Sequence, residues 1–311
     1  MPRNPFPALA LLAATLAACG DADPATAPDL RATASGPANP ALVAEGRTIF
    51  RFDTFGDETF WTDTLRMHER IQAALDPMTA LSLGLKVDAD ALPPDIRAAL
   101  AAGTVDLESP ATTVALIGLD AVVGVKGRVA GGSLVEVGIT CALCHSTVDN
   151  AVGAGIGRRL DGWPNRDLDP GAIIALSEVL SEEQRAVYSS WGPGFYDPRF
   201  SFDGQNVPVV LPPAFGLRHV RHELYTGDDV VSYWNAYVAI TQMHGHGTFS
   251  DPRLGIFVNN PPDRVSGKLE ALRAYQFSLE APAPVPGSFD VAAARRGKAL
   301  FQGQARCGSC H

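Results

Sequence analysis

The chain has 311 residues, 46% hydrophobic and 19% charged, a composition normal for a globular protein and a length sufficient for two domains. Its formal net charge of −9 argues against nucleic acid, which needs a basic footprint, and suits a basic protein partner better. With 30 glycines and 24 prolines, long irregular connections between modest elements are expected.

Residues 1–18 read as an export signal, with Arg3 as the basic start and Leu9 to Ala18 as an apolar stretch too short to span a bilayer. It ends in Leu16-Ala17-Ala18-Cys19-Gly20, which resembles the lipobox of bacterial lipoproteins; Cys19 is then the lipidation site. The alternative is an ordinary signal peptide. Residues 19–40, rich in Ala, Pro, Asp and Thr and without periodicity, read as a flexible tether. No later apolar run reaches the ~18 residues of a membrane span, so the only membrane attachment expected is the N-terminal lipid, on the periplasmic side of a bacterial membrane.

A folded region is expected over 41–280. Leu42, Val43, Ile49 and Phe50 share the face of a helix from Ala41. Phe60 to Leu75 predicts a second helix capped by Asp57-Glu58, and Pro93-Pro94 starts a third that runs to about Ala102. Val122 to Val129 and Leu134 to Ile139, around Gly131-Gly132, read as a small β-hairpin or as two irregular extended segments. Gly153 to Gly171 is loop-like. Ala172 to Leu180 and Ser181 to Tyr188 suggest helices, followed by a Pro/Gly/aromatic loop from Trp191 to Pro213. Asp228 to Gln242 predicts a helix with Val231, Trp234, Val238 and Gln242 on one face; Asp263 to Glu280 predicts another with Val265, Leu269, Leu272 and Phe277 apolar. Residues 281–289, beginning Ala-Pro-Ala-Pro-Val-Pro-Gly, form a linker, and Asp290 to Phe301 is a helix. Glu45 to Phe50 echoes Arg296 to Phe301 in a Gly-basic-x-aliphatic-Phe core, the pattern a duplicated unit would leave.

The chemistry-bearing signals are two C-x-x-C-H motifs, Cys141/Cys144/His145 and Cys307/Cys310/His311. Two thiols at this spacing reach the two vinyl groups of one porphyrin edge, and the following His ligates the iron. Two covalently bound haem c groups are therefore expected, with Cys141, Cys144, Cys307 and Cys310 as attachment residues and His145 and His311 as iron ligands. Zinc knuckles would lie about 15–20 residues apart, and a thioredoxin-like pair needs no His after each motif. All five cysteines are thereby used: four in the motifs, the fifth being Cys19. Met243, His244 and His246 are candidates for the distal side of a haem, against a polar loop with exposed histidines; Met67-His68 is an outside candidate, and His219 and His222 fit a surface turn. Trp163, Trp191 and Trp234 are candidates for an inter-haem relay, Trp234 foremost, with ordinary core packing as the alternative.

The two motifs, the export signal and Arg295-Arg296-Gly297-Lys298-Ala299-Leu300-Phe301 before the second motif resemble the bacterial dihaem cytochrome c peroxidase and MauG superfamily. The resemblance implies a mainly α fold of two cytochrome c-like domains, a peroxide-reactive N-terminal haem and an electron-relay C-terminal haem. The chain would be supplied by a small redox protein or a quinol-linked donor and would act on hydrogen peroxide or another small oxidant. It also implies an interdomain calcium ion, whose site is not placed on residues of this sequence. The stretch before the first motif is long, as in the larger dihaem relatives such as rubber oxygenase, and the second domain, 290–311, is expected to be truncated at its motif. A non-catalytic electron-transfer cytochrome and a dihaem oxygenase of an organic substrate are the competing readings.

Overall fold

The computed structural model describes residues 39–220 and 231–309, so Cys19, His222, Cys310 and His311 lie outside the described residues. The fold is mainly α, with five two-stranded sheets among the described residues.

The first helix, Pro40–Phe52, starts where the Asn39 side chain accepts from Ala41 N at 3.0 Å and Pro40 needs no N–H partner. It crosses the helix Leu269–Ser278 so closely that a Cβ on Gly46 would sit 1.9 Å from the Ala271 carbonyl oxygen. Phe50 and Tyr275 meet edge to face with centroids 5.5 Å apart. The echo of this segment behaves differently: Gly297 has open space around it, and Leu300 and Phe301 on the helix Val291–Gln302 are exposed.

Where one helix was expected over 60–75 there are two, a π-helical turn Thr59–Thr64 and an α-helix Met67–Ala74, broken by Arg66 in the left-handed region at φ 54°. Asp57 does not cap the first. It is fully buried and accepts from Ile139 N at 3.2 and 3.3 Å, tying this turn to the hairpin instead. The third helix is Pro94–Ala101. Two short helices escaped the pattern, Pro77–Ser82 and Pro110–Gly118, each opening on proline; the first is capped by Asp76, which accepts from Thr79 N at 2.8 Å.

The hairpin forms as Val125–Ala130 against Ser133–Ile139, antiparallel. Gly131 and Gly132 sit at φ 59° and 83°, the left-handed pair that a tight two-residue turn demands. Within the predicted loops lie short strands: Ile156–Gly157 pairs with Val87–Asp88, Arg159–Asp161 with Ser146–Val148, and Phe195–Tyr196 with Val209–Val210. Pro170–Ala175 and Glu182–Ser189 are helical, the latter with a full capping box between Ser181 and Gln184. The helix Val231–Tyr237 continues as a π-helical turn, Val238–Gln242, and a second hairpin, Gly247–Asp251 with Ile256–Asn260, precedes Leu269–Ser278.

Buried apolar side chains form two clusters. One centres on Trp61, Ile71, Leu116, Ile117 and Leu134, the other on Phe50, Tyr237, Ile240, Val265 and Leu272. The first motif lies where they adjoin: Leu143 belongs to one and Ala142 to the other.

Candidate functional site

The hairpin's second strand ends at Ile139 and hands the chain to Thr140, which anchors the motif three ways. Thr140 N donates to Gly124 O at 2.9 Å, its hydroxyl donates to Arg51 O at 3.1 Å, and the same oxygen accepts from Ala142 N at 3.3 Å. Ala142–His145 then makes a single helical turn. Gly124, at φ 78°, lets the hairpin backbone come so near that a Cβ would be 2.1 Å from Leu143 N. Downstream, Gly162 N donates to His145 O at 2.8 Å and Asn165 N to Cys144 O at 2.9 Å. The motif is thus held by the first helix, the hairpin and the segment that follows it.

Cys141, Cys144 and His145 all face one cavity of about 630 Å³. Both cysteines are free thiols, and burial pushes each up to about 12, so they are neutral at ordinary pH. Burial likewise lowers the His145 imidazole below its usual range, partly offset by the Pro212 carbonyl. That carbonyl lies 3.0 Å from Nδ1 and can only accept, so Nδ1 carries the hydrogen and Nε2 keeps a free lone pair.

The cavity wall is apolar almost throughout, with Trp61, Ile71, Leu116, Ile117, Leu211 and Pro213 typical of it. Val231, Trp234, Val238 and Gln242, the face predicted from helical spacing, all line it. Its few polar members include Tyr196, whose hydroxyl donates to Gln242 Oε1 at 2.6 Å, and Lys86, buried and paired with Asp167 at 2.5 Å.

Of the distal candidates, Met243 lines this cavity, and its carbonyl accepts from Trp61 Nε1 at 3.3 Å. His244 and His246 are not among the lining residues. His244 adopts φ 65°, which turns its ring away to stack on Phe60 at 3.6 Å, and burial lowers its pKa to about 4. His246 borders a separate polar pocket of about 290 Å³, with Nδ1 3.2 Å from Pro261 O and Nε2 3.3 Å from Thr59 Oγ1. Met67 lines the main cavity; its neighbour His68 does not. Trp234 lines it too and packs edge to face on Tyr237 at 4.9 Å, whereas Trp163 stands half out in solvent against Phe215. His219 ends a short 3-10 turn, Leu217–His219.

The second motif is described only in part. Cys307 is exposed on the turn Cys307–Ser309, and the helix leading to it buries none of its residues. Among the described residues no three His, Cys, Asp or Glu side chains are grouped to hold a metal ion, and no helix is long and apolar enough to cross a membrane. Sequence reasoning missed Pro212, Tyr196 and the wall built from residues 61–87 and 113–125. No family model, no curated protein and no solved structure matches this chain.

Proposed function

We propose that the chain is a c-type cytochrome whose first motif holds a haem in the 630 Å³ cavity, and that it acts as a peroxidase-like oxidoreductase with the second motif as an electron-relay site. One observation carries this reading: the two thiols and the imidazole of a single C-x-x-C-H all open onto the same large apolar cavity. Protein interiors are close-packed, with few voids larger than a water, so a space of this size and polarity fits a flat, mostly apolar cofactor.

The motif residues suit that group. Cys141 and Cys144 would hold the group covalently, each S–H adding across one vinyl double bond with no atom lost. His145 presents Nε2 as ligand while Pro212 fixes its tautomer and ring plane. Lys86 in the lining already has its ammonium paired with Asp167. Bound haem supplies an iron that cycles between oxidation states and holds small oxidants. Gln242 is locked at the wall, its Oε1 accepting from the Tyr196 hydroxyl and its Nε2 donating to Tyr237 Oη at 3.2 Å and Thr241 Oγ1 at 2.9 Å; among the described residues the lining holds no carboxylate.

The second reading, an electron carrier, is favoured by Met243, whose thioether side chain is buried against the same cavity and is of the type that closes a sixth position. The visible spectrum of the periplasmically matured chain separates them. A high-spin band that shifts on adding hydrogen peroxide supports the peroxidase; two low-spin haems indifferent to peroxide, oxidised and half-reduced, leave the electron carrier. Mass comes first: Cys141→Ala with Cys144→Ala should remove one haem, and an unchanged mass would end both readings.

A further inference from the structure

Tyr196 stands in the cavity wall beside Cys144. Behind it, further rings lead away from the site. Trp191 meets Tyr196 edge to face at 5.2 Å between centroids, and Tyr188 meets Trp191 in the same manner at 5.1 Å. Trp191 is buried, while Tyr188 is half-buried on Glu182–Ser189, a helix with no buried residue. The inner two rungs are held in place by their polar atoms: Tyr196 donates to Gln242 Oε1 at 2.6 Å and Trp191 Nε1 donates to Asn206 Oδ1 at 2.8 Å. The line thus runs from the cofactor wall to the surface, and every rung is a phenol or an indole. These are among the side chains most readily oxidised by one electron. Phenylalanine packs as well and conducts worse, and where it does occur, as Phe200 at 5.7 Å from Tyr188, it is a side branch beyond the last rung.

We propose that Tyr196, Trp191 and Tyr188 form a path that carries oxidising equivalents from the cofactor cavity to the surface, where they are taken up by an external one-electron donor. The proposal rests on the haem assignment above. Electrons move inward, from donor to Tyr188, Trp191, Tyr196 and the cofactor. Two of them, with two protons from solvent, convert one hydroperoxide ROOH into ROH and water, and two donor molecules each lose one electron. When a phenol gives up an electron its proton must move: Tyr188 releases it to solvent, while Tyr196 shifts it along the hydrogen bond toward Gln242 Oε1, a weak base that hands it back when the next electron arrives.

The test uses the full haem-loaded chain with a ruthenium polypyridyl photo-oxidant on Ser189→Cys, an exposed position next to Tyr188. A flash generates the oxidised label, and oxidation of the reduced haem is followed in the Soret band. Trp191→Phe is expected to slow this step by about tenfold or more, and Trp191→Tyr, which returns an oxidisable ring to the same space, to recover most of the rate. Equal rates in the parent and Trp191→Phe overturn the path. Equal slowing in both variants assigns Trp191 a packing role alone and overturns it as well. A peroxide titration of the same sample judges the peroxidase reading separately: conduction without a peroxide response keeps the path and removes that reading, and a chain with no haem loses both.

Discussion

His145 has one ring nitrogen to offer a metal, because the other is bound to the Pro212 carbonyl. That partner lies far along the chain, and no local spacing announces it; the motif itself was legible because its chemistry is written in five consecutive residues. The segment Met243-His244-Gly245-His246 shows the opposite case. Composition marks it as ligand-rich, but around the left-handed residue His244 the side chains of Met243, His244 and His246 go to three surroundings: a cavity, a stack on Phe60 and a polar pocket. Backbone φ at one loop residue is not readable from residue type, although His tolerates this region better than branched residues. A sharp prediction follows for Met243. In the peroxidase reading the first iron keeps an open side, so Met243→Leu, close in volume and without sulfur, should leave the haem spin state unchanged. Conversion from low to high spin in that variant would instead identify Met243 as an axial ligand and the chain as an electron carrier.

At the scale of elements, helical periodicity served best where one face does one job. Val231, Trp234, Val238 and Gln242 share a predicted face, and all four line the cavity, even though the helix passes into a π-helical turn at Val238. The single helix expected over 60–75 failed for a reason periodicity cannot encode: the Leu65 N–H bonds back to Phe60 O, and Arg66 then reverses handedness. The hairpin Gly247–Asp251 with Ile256–Asn260 gave no recognised signal, yet it braces the cavity helix through Asp251. Tyr233 donates to Asp251, and Arg253 binds the same carboxylate at 2.7 Å. Burial pushes this carboxyl up, but the hydrogen bonds from Arg253 and Tyr233 outweigh it and hold the pKa at about 2, below the ordinary 3.8. A depressed acid pKa contributes stability that is complete above the unfolded value and is lost as pH falls through the folded one. The parent should therefore exceed Asp251→Asn in stability by a constant margin above pH about 4, and the margin should shrink toward pH about 2. Urea unfolding across that range reads it; a margin flat with pH would show that the carboxylate charge contributes nothing.

For the molecule as a whole, the large apolar cavity is the feature with the clearest consequence for stability. It lies between two apolar clusters that meet at the motif, so the folded chain depends on what fills the space between them. Left empty of any apolar group, so large an apolar space leaves its lining side chains without packing partners. Domains of ordinary size are stable by only about 5–15 kcal/mol. If the proposed haem fills this space, a chain that cannot attach it is expected to let the cavity walls collapse or loosen. The Cys141→Ala, Cys144→Ala chain is accordingly expected to retain far-UV helical signal, lose near-UV structure and a cooperative transition, and be cut readily by protease between residues 60 and 215, where most of the wall arises. Attachment would then act as a folding step for this region, fixing both clusters against one rigid group. Because the lost packing comes from the unfilled space and not from the two sulfurs, adding free haem to that variant should restore part of the near-UV signal through His145 alone. A haem-free chain that unfolds cooperatively and resists protease as the loaded one does would show that the cavity closes without penalty, and that the fold does not rely on the cofactor.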